Sequence, residues 1–159
     1  MKKVIASVTT DLISDHRVHK MCLSLHNHGY DVTLVGRKKN SQRLASRPYK
    51  VIRFNMFFKK GFLFYMFFNL RLFFYLLVKK SHILISNDLD TILPNFLTSK
   101  LKKSHIIYDS HELFTEVPEL IFKKKVKLFW VYLESKIFPK LKNVITVSEG
   151  YANFYKKKY

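Results

Sequence analysis

"SHIIYDSHELFTEVPEL", residues Ser104 to Leu120, decides how the rest of the chain is read. A short apolar run ends by delivering Asp109, Ser110, His111 and Glu112 together. Turns usually recruit Gly, Asn or Pro, and none of these lies between Ser104 and Val117. A strand that ends in clustered polar groups without turn residues fits a parallel sheet, whose ligands sit outside the carboxyl ends of its strands.

Working outward, the same pattern recurs. "KVIASVT" (Lys3 to Thr9), "DVTLVG" (Asp31 to Gly36), "KVIRF" (Lys50 to Phe54), "HILIS" (His82 to Ser86), "HIIYD" (His105 to Asp109) and "NVITVS" (Asn143 to Ser148) read as strands. Between them, Val18, Met21, Cys22 and Leu25 fall at helical spacing before Gly29, and a second helix is expected near Thr91 to Lys102. A long helix, Glu119 to Phe138, is expected to carry Phe122, Val126, Phe129, Trp130, Leu133 and Ile137 on one side, and a basic helix runs to Tyr159. Strands alternating with helices predict an α/β fold, a doubly wound parallel sheet (Rossmann-like) spanning residues 1–159 as one domain. Its carboxyl edge then gathers Thr9 to Arg17, Asn87 to Asp90, Asp109 to Glu112 and Ser148 to Gly150.

Bulk composition narrows the partners. Lysine and arginine total 29 against 11 acidic residues, a formal charge of +18, and a field of that size seeks nucleic acid or anionic lipid. Nucleic-acid binders interleave basic and stacking aromatic residues. Here phenylalanine is concentrated in "FNMFFKKGFLFYMFFNLRLFFYLLVKK", which points to a membrane surface and away from nucleic acid. The lone Cys22 excludes an internal disulfide and suits a reducing cytoplasm. The N-terminal apolar run is broken by Ser7, Thr9, Thr10 and Asp11 before a signal-peptide core forms, so the protein is expected not to be exported.

Phe62 to Val78 is marginal for a span, interrupted by Asn69 and Arg71 and flanked by Lys59, Lys60, Lys79 and Lys80. Crossing a bilayer there would put the two halves of one sheet on opposite sides. A helix lying in the interface, with Phe62, Phe67, Phe68 and Phe73 in the acyl boundary and the four lysines at the phosphates, keeps the sheet whole. The competing reading is a crossover helix buried between the sheet and another domain.

No G-x-G-x-x-G or P-loop sequence occurs, and the only glycines are Gly29, Gly36, Gly61 and Gly150, so dinucleotide and P-loop chemistry drop out. Asp88 and Asp90 form an Asp-x-Asp, a spacing that holds divalent metals in some enzymes but serves equally as a helix N-cap. Capping is the preferred reading, and no metal site is expected. His111 is the candidate catalytic group: near its ordinary pKa of about 6.5, a neutral imidazole both donates and accepts hydrogen bonds. Asp109 or Glu112 would orient it, and a surface-loop histidine tied to a carboxylate is the alternative. Asp15 reads as an N-cap, with His16 and Arg17 beside it able to face the cleft.

Three segments, "DHRVHKMCLSLHNHGYDVTLVGR", "NDLDTILPNFLTSKLKKSHIIYDSHELFTEVPEL" and "IFPKLKNVITVSEGYANFY", in this order and spacing, resemble the N-terminal half of a family 4 glycosyltransferase of the two-Rossmann-domain (GT-B) architecture. The resemblance implies a retaining transfer from a nucleotide-sugar donor to an acceptor glycan or lipid-linked acceptor, with no cofactor and no essential metal. It implies that His111 approaches the donor sugar, and that Asp15, His16 and Arg17 contact acceptor or phosphate, with Asp88, Asp109 and Glu112 as further substrate-binding candidates. It also implies docking at the inner face of the cytoplasmic membrane through the basic, Phe-rich region. Where relatives have a Gly-rich first loop this chain has "TTDLISD", and the C-terminal nucleotide-sugar domain, which the resemblance would place after "YANFYKKKY", is expected to be absent. The chain is therefore expected to be inactive by itself, as a truncated product, a fragment or one subunit of a split enzyme. The alternative is a non-catalytic membrane- or partner-binding module.

Overall fold

A computed structural model describes residues 1–39 and 43–159. The elements run β1 (Lys3–Asp11), α1 (His16–Asn27), β2 (Asp31–Lys38), β3 (Lys50–Asn55), α2 (Gly61–Val78), β4 (Ile83–Asn87), α3 (Ile92–Lys102), β5 (His105–Ser110), α4 (Lys124–Ile137), β6 (Val144–Thr146) and α5 (Glu149–Lys158). All six strands lie in one sheet in the order β3-β2-β1-β4-β5-β6, and every neighbouring pair is parallel. This is the order of a doubly wound Rossmann sheet, and its direction of winding reverses between β1 and β4. The expected fold class is the one observed.

Alternation along β1 sends its side chains to two cores. Val4, Ala6 and Val8 pack with Val18 and Cys22 of α1, whereas Ile5 packs with Val35 and Leu84 against α2. Helix α2 buries Phe64, Phe68, Leu72 and Leu76, a four-residue repeat that keeps one stripe on the sheet. At its end the Lys102 ammonium donates to the carbonyls of Leu76 (3.0 Å) and Leu77 (3.1 Å), satisfying groups that no further helical turn can reach.

Two sequence expectations need correcting. Phe68 is fully buried against Phe54 and Phe64, so it belongs to the core and not to a membrane-facing surface. The outward face of α2 carries Phe62 and Phe67 instead, with Phe73 half-buried and Lys59, Lys60, Lys79 and Lys80 exposed. Helix α4 starts at Lys124, not Glu119, because Pro118 opens a short 3-10 turn, Pro118–Leu120, ahead of it. Its buried stripe is therefore Trp130, Leu133, Glu134 and Ile137, and Phe122, expected in that stripe, is 94% exposed.

Candidate functional site

The carboxyl ends of β1, β4 and β5 meet at one edge through two different kinds of contact. The first is a closed cluster. Asp88, just past β4, has φ 60° and ψ 171°, a conformation that only glycine adopts without penalty. It is held there from both sides: its N–H donates to the Asp109 carbonyl at 2.9 Å, and its Oδ1 accepts from the His111 N–H at 2.9 Å. The imidazole completes the clasp, with Nδ1 3.4 Å from Asp88 Oδ2 and Nε2 3.2 Å from Asp109 Oδ2. Hydrogen bonds to Asp109, then Asp88, push the His111 pKa up to about 9 against the opposing effect of burial.

His111 is thus an imidazolium with both nitrogens occupied. The neutral ring expected from the sequence, free to donate and accept, is not what the fold contains. Asp88 and Asp109 orient the ring, and Glu112 does not. Neither Asp88 nor Asp90 caps α3 either. Asp88 is committed to His111, and Thr91, which precedes the helix, makes no side-chain cap bond.

The second feature is open. A cleft of about 710 Å³ lies at the β1/β4 reversal point, where doubly wound sheets bind ligands. Its cationic side chains are Arg17, Arg37, Lys39, Lys59 and Lys60, and its acidic ones are Asp88, Asp90 and Glu112. Asp90 forms its most buried acidic group. Its Oδ2 accepts a short hydrogen bond from the Thr9 hydroxyl, its backbone carbonyl accepts from Asn69 Nδ2 at 2.9 Å, and its Oδ1 has no hydrogen-bond partner among the described residues. Burial pushes the Asp90 carboxyl up to about 7, despite the Thr9 bond and with some help from the charge of Asp88. Burial, with Asp88 nearby, also raises Glu112, while Arg17 pulls the other way.

Local sequence explains this arrangement. Ser7 on β1, Asn87 on β4 and Asn95 on α3 form a buried polar seam: Asn87 Nδ2 donates to the Ser7 carbonyl (3.0 Å) and Asn95 Nδ2 to the Ser7 hydroxyl (2.7 Å). The seam fixes the start of α3 against β1 and thereby sets Asp90 beneath Thr9. On the other flank, a Cβ at Gly36 would lie 2.4 Å from the Leu12 side chain, so only glycine lets the β1 exit pack over β2.

Of the other sequence candidates, Asp15 caps α1: Oδ1 accepts from the Val18 N–H (3.1 Å) and Oδ2 from the Thr10 hydroxyl (2.6 Å). Arg17 lines the cleft, while His16 is exposed and not part of its wall. Ser148 caps α5 through the Tyr151 N–H and also lies outside the cleft lining. Sequence reading missed Arg37, Lys39 and the open state of Asp90. Their only signal was position, each standing within a few residues of a predicted strand end. Among the described residues, no group of three or more His, Cys, Asp or Glu side chains is placed so that it could hold a metal ion.

No family model matches the chain, and no curated protein matches its sequence. Among solved structures it is similar to CalG4, the calicheamicin glycosyltransferase, with a TM-score of 0.55 and 11% identity over 81% of this chain. The likeness is one of fold. It covers 45% of CalG4, so the chain spans less than half the length of that protein. A six-stranded parallel sheet flanked by helices, glycosyltransferase-like in its fold, is what the structure and the comparison establish together.

Proposed function

We propose that this chain is the acceptor-side domain of a GT-B glycosyltransferase, resembling family 4, that transfers sugar from a nucleotide-sugar donor with retention of configuration. One observation carries the reading: a cleft at the sheet's reversal point whose buried acid, Asp90, keeps one oxygen without a hydrogen-bond partner among the described residues, beneath a cationic rim. A carboxyl with a pKa near 7 suits hydrogen bonding to an acceptor hydroxyl, and the rim suits an acceptor bearing negative charge. In this reading the nucleotide is held by a second Rossmann-like domain, on a longer form of this protein or on a separate polypeptide. His111 contributes a fixed positive charge beside the donor sugar and positions Asp88, and no metal or cofactor takes part.

The outer face of α2 supports placement at an anionic, cytoplasmic membrane surface, because Phe62 (66% exposed) and Phe67 (42% exposed) stand among lysines. Sedimentation with anionic vesicles checks this: Phe67→Ser should reduce binding while leaving the thermal midpoint in place.

Transfer is tested by assaying the protein with the second domain supplied, against a panel of nucleotide sugars and membrane-extracted acceptors. Sugar incorporation that falls at least about tenfold in Asp90→Asn is expected. No incorporation from any donor would sink the proposal. The engagement of both His111 nitrogens favours the alternative, a non-catalytic binding module, which predicts ligand binding without turnover.

A further inference from the structure

Among the described residues, none of α5 lines the cleft, yet the end of that helix is tied to the cleft wall at two points. The wall segment concerned, residues 110–115, leaves the end of β5 and supplies Glu112 and Phe114 to the cleft. At its near end the hydroxyls of Ser110 and Tyr155 lie 2.9 Å apart, and Ser110 Oγ lies 3.0 Å from the Glu112 carbonyl. At its far end the Lys158 ammonium donates to the Thr115 hydroxyl at 3.3 Å. Ser110, Thr115 and Tyr155 are all buried.

Proton counting gives this contact a direction. A carbonyl oxygen only accepts, so the one proton of the Ser110 hydroxyl goes to Glu112. Tyr155 must then donate to Ser110. The result is a one-way relay from the helix to the wall, Tyr155 to Ser110 to Glu112, in which each bond polarises the next.

The Tyr155 hydroxyl is not what seats the helix. Phe138 stacks on the Tyr155 ring with centroids 4.4 Å apart and on the Tyr159 ring at 4.7 Å, a packing that a phenylalanine at position 155 would keep. Glu134 on α4, 1% exposed, accepts from Lys158 Nζ at 2.6 Å and from the Tyr159 hydroxyl at 2.7 Å. Two tyrosines thus stack on one ring and send their hydroxyls to different places, Tyr155 to the cleft wall and Tyr159 to α4.

We propose that Tyr155 is a positioning residue of the cleft: its hydroxyl, acting through Ser110, fixes where segment 111–114 presents Glu112 and Phe114 to a bound ligand. The proposal goes beyond the sugar-transfer reading and does not depend on it, because the wall is set before any ligand arrives. Glu112 reports the wall's position. Burial is the main reason its carboxyl pKa is raised, so a slackened wall that admits water brings it down. If Tyr155 merely helped α5 to dock, its hydroxyl and that of Tyr159 would be interchangeable in effect.

The test compares Tyr155→Phe with Tyr159→Phe by NMR in the full chain, with no ligand present. Tyr155→Phe should lower the titration midpoint of the Glu112 carboxyl carbon. It should also speed deuterium exchange of the His111 N–H about fivefold relative to the amides of β1 and β2. Tyr159→Phe should change neither signal. Ser110→Ala should reproduce Tyr155→Phe, and the double variant should match Ser110→Ala alone, since both substitutions cut the same relay.

A Glu112 midpoint unchanged or raised in Tyr155→Phe, His111 exchange no faster than in the parent protein on that relative scale, equal shifts in Tyr159→Phe, or additive effects in the double variant would each overturn the proposal. Neither signal requires donor or turnover, so such a result leaves the sugar-transfer proposal standing. Failure of transfer likewise leaves the relay intact.

Discussion

Asp88 and Asp90 follow the same strand two positions apart, and their surroundings differ completely. Asp88 gives both oxygens to His111, one to its N–H and one to its ring. Asp90, more deeply placed, holds one hydrogen bond from Thr9, and its other oxygen has no hydrogen-bond partner among the described residues. The first carboxylate is compensated by a cation and ties β4 to β5. The second is held near neutrality by burial and weakens the fold at high pH. A group that costs stability in a cleft at the sheet's reversal point is the stronger candidate for chemistry. The contrast therefore sets Asp90 beside His111 as a candidate to be tested.

The largest test of this contrast removes the cation. His111→Ala leaves Asp88 and Asp109 close together without compensation, and urea denaturation at pH 7 should show a loss of about 3 kcal/mol. The His111 pKa is raised by folding, to about 9, so its stabilising contribution is full below about pH 6.5 and disappears as pH rises through 9. The penalty of the substitution should accordingly fade by pH 10. A penalty unchanged from pH 7 to pH 10 would mean that packing, not charge, is what His111 supplies.

The opposite sign is expected at the second acid. Folding raises the Asp90 pKa to about 7, so the folded state binds the extra proton and stability falls as pH rises from about 4 through 7. Asp90→Asn should therefore stabilise the protein at pH 8 by about 2 kcal/mol, roughly 4–8 °C in thermal midpoint. At pH 4 it should change little. Destabilisation at pH 8 would show that the carboxylate is compensated after all, and the contrast with Asp88 would collapse.

The smallest effect belongs to Thr9→Val, which removes the hydroxyl that donates to Asp90. The charged form of Asp90 loses its hydrogen bond, so the pH at which stability declines should move upward by about half a unit. An NMR titration of the Asp90 carboxyl carbon reads this directly. A downward shift would mean that the Thr9 hydroxyl favours the protonated acid.

Much of the fold was legible because each strand is an apolar run ended by polar residues, and a one-residue slip would expose its whole core face. The convergence of Asp109, His111 and Asp88 on one edge followed from that pattern alone. Other features depended on three-dimensional context. Phe67 and Phe68 are adjacent aromatics on a helix apolar nearly all round, so periodicity could not say which one faces the sheet. Asp90 looked like a cap because a residue before a helix usually is one. Its burial depends on the Ser7–Asn95 seam, which pairs residues 88 positions apart in the sequence. Arg37 and Lys39 reach the cleft only because β2 lies beside β1, and strand order cannot be read from the local pattern.

Helix α2 also carries a consequence for biosynthesis. Its 18 residues are long and apolar enough to cross a membrane by length and composition, yet only 22% of them are buried in the finished fold. Its inner stripe packs on Leu84 of β4, which the ribosome delivers after the helix itself. Until that strand emerges, the nascent chain presents a segment that the cell's insertion machinery is built to recognise.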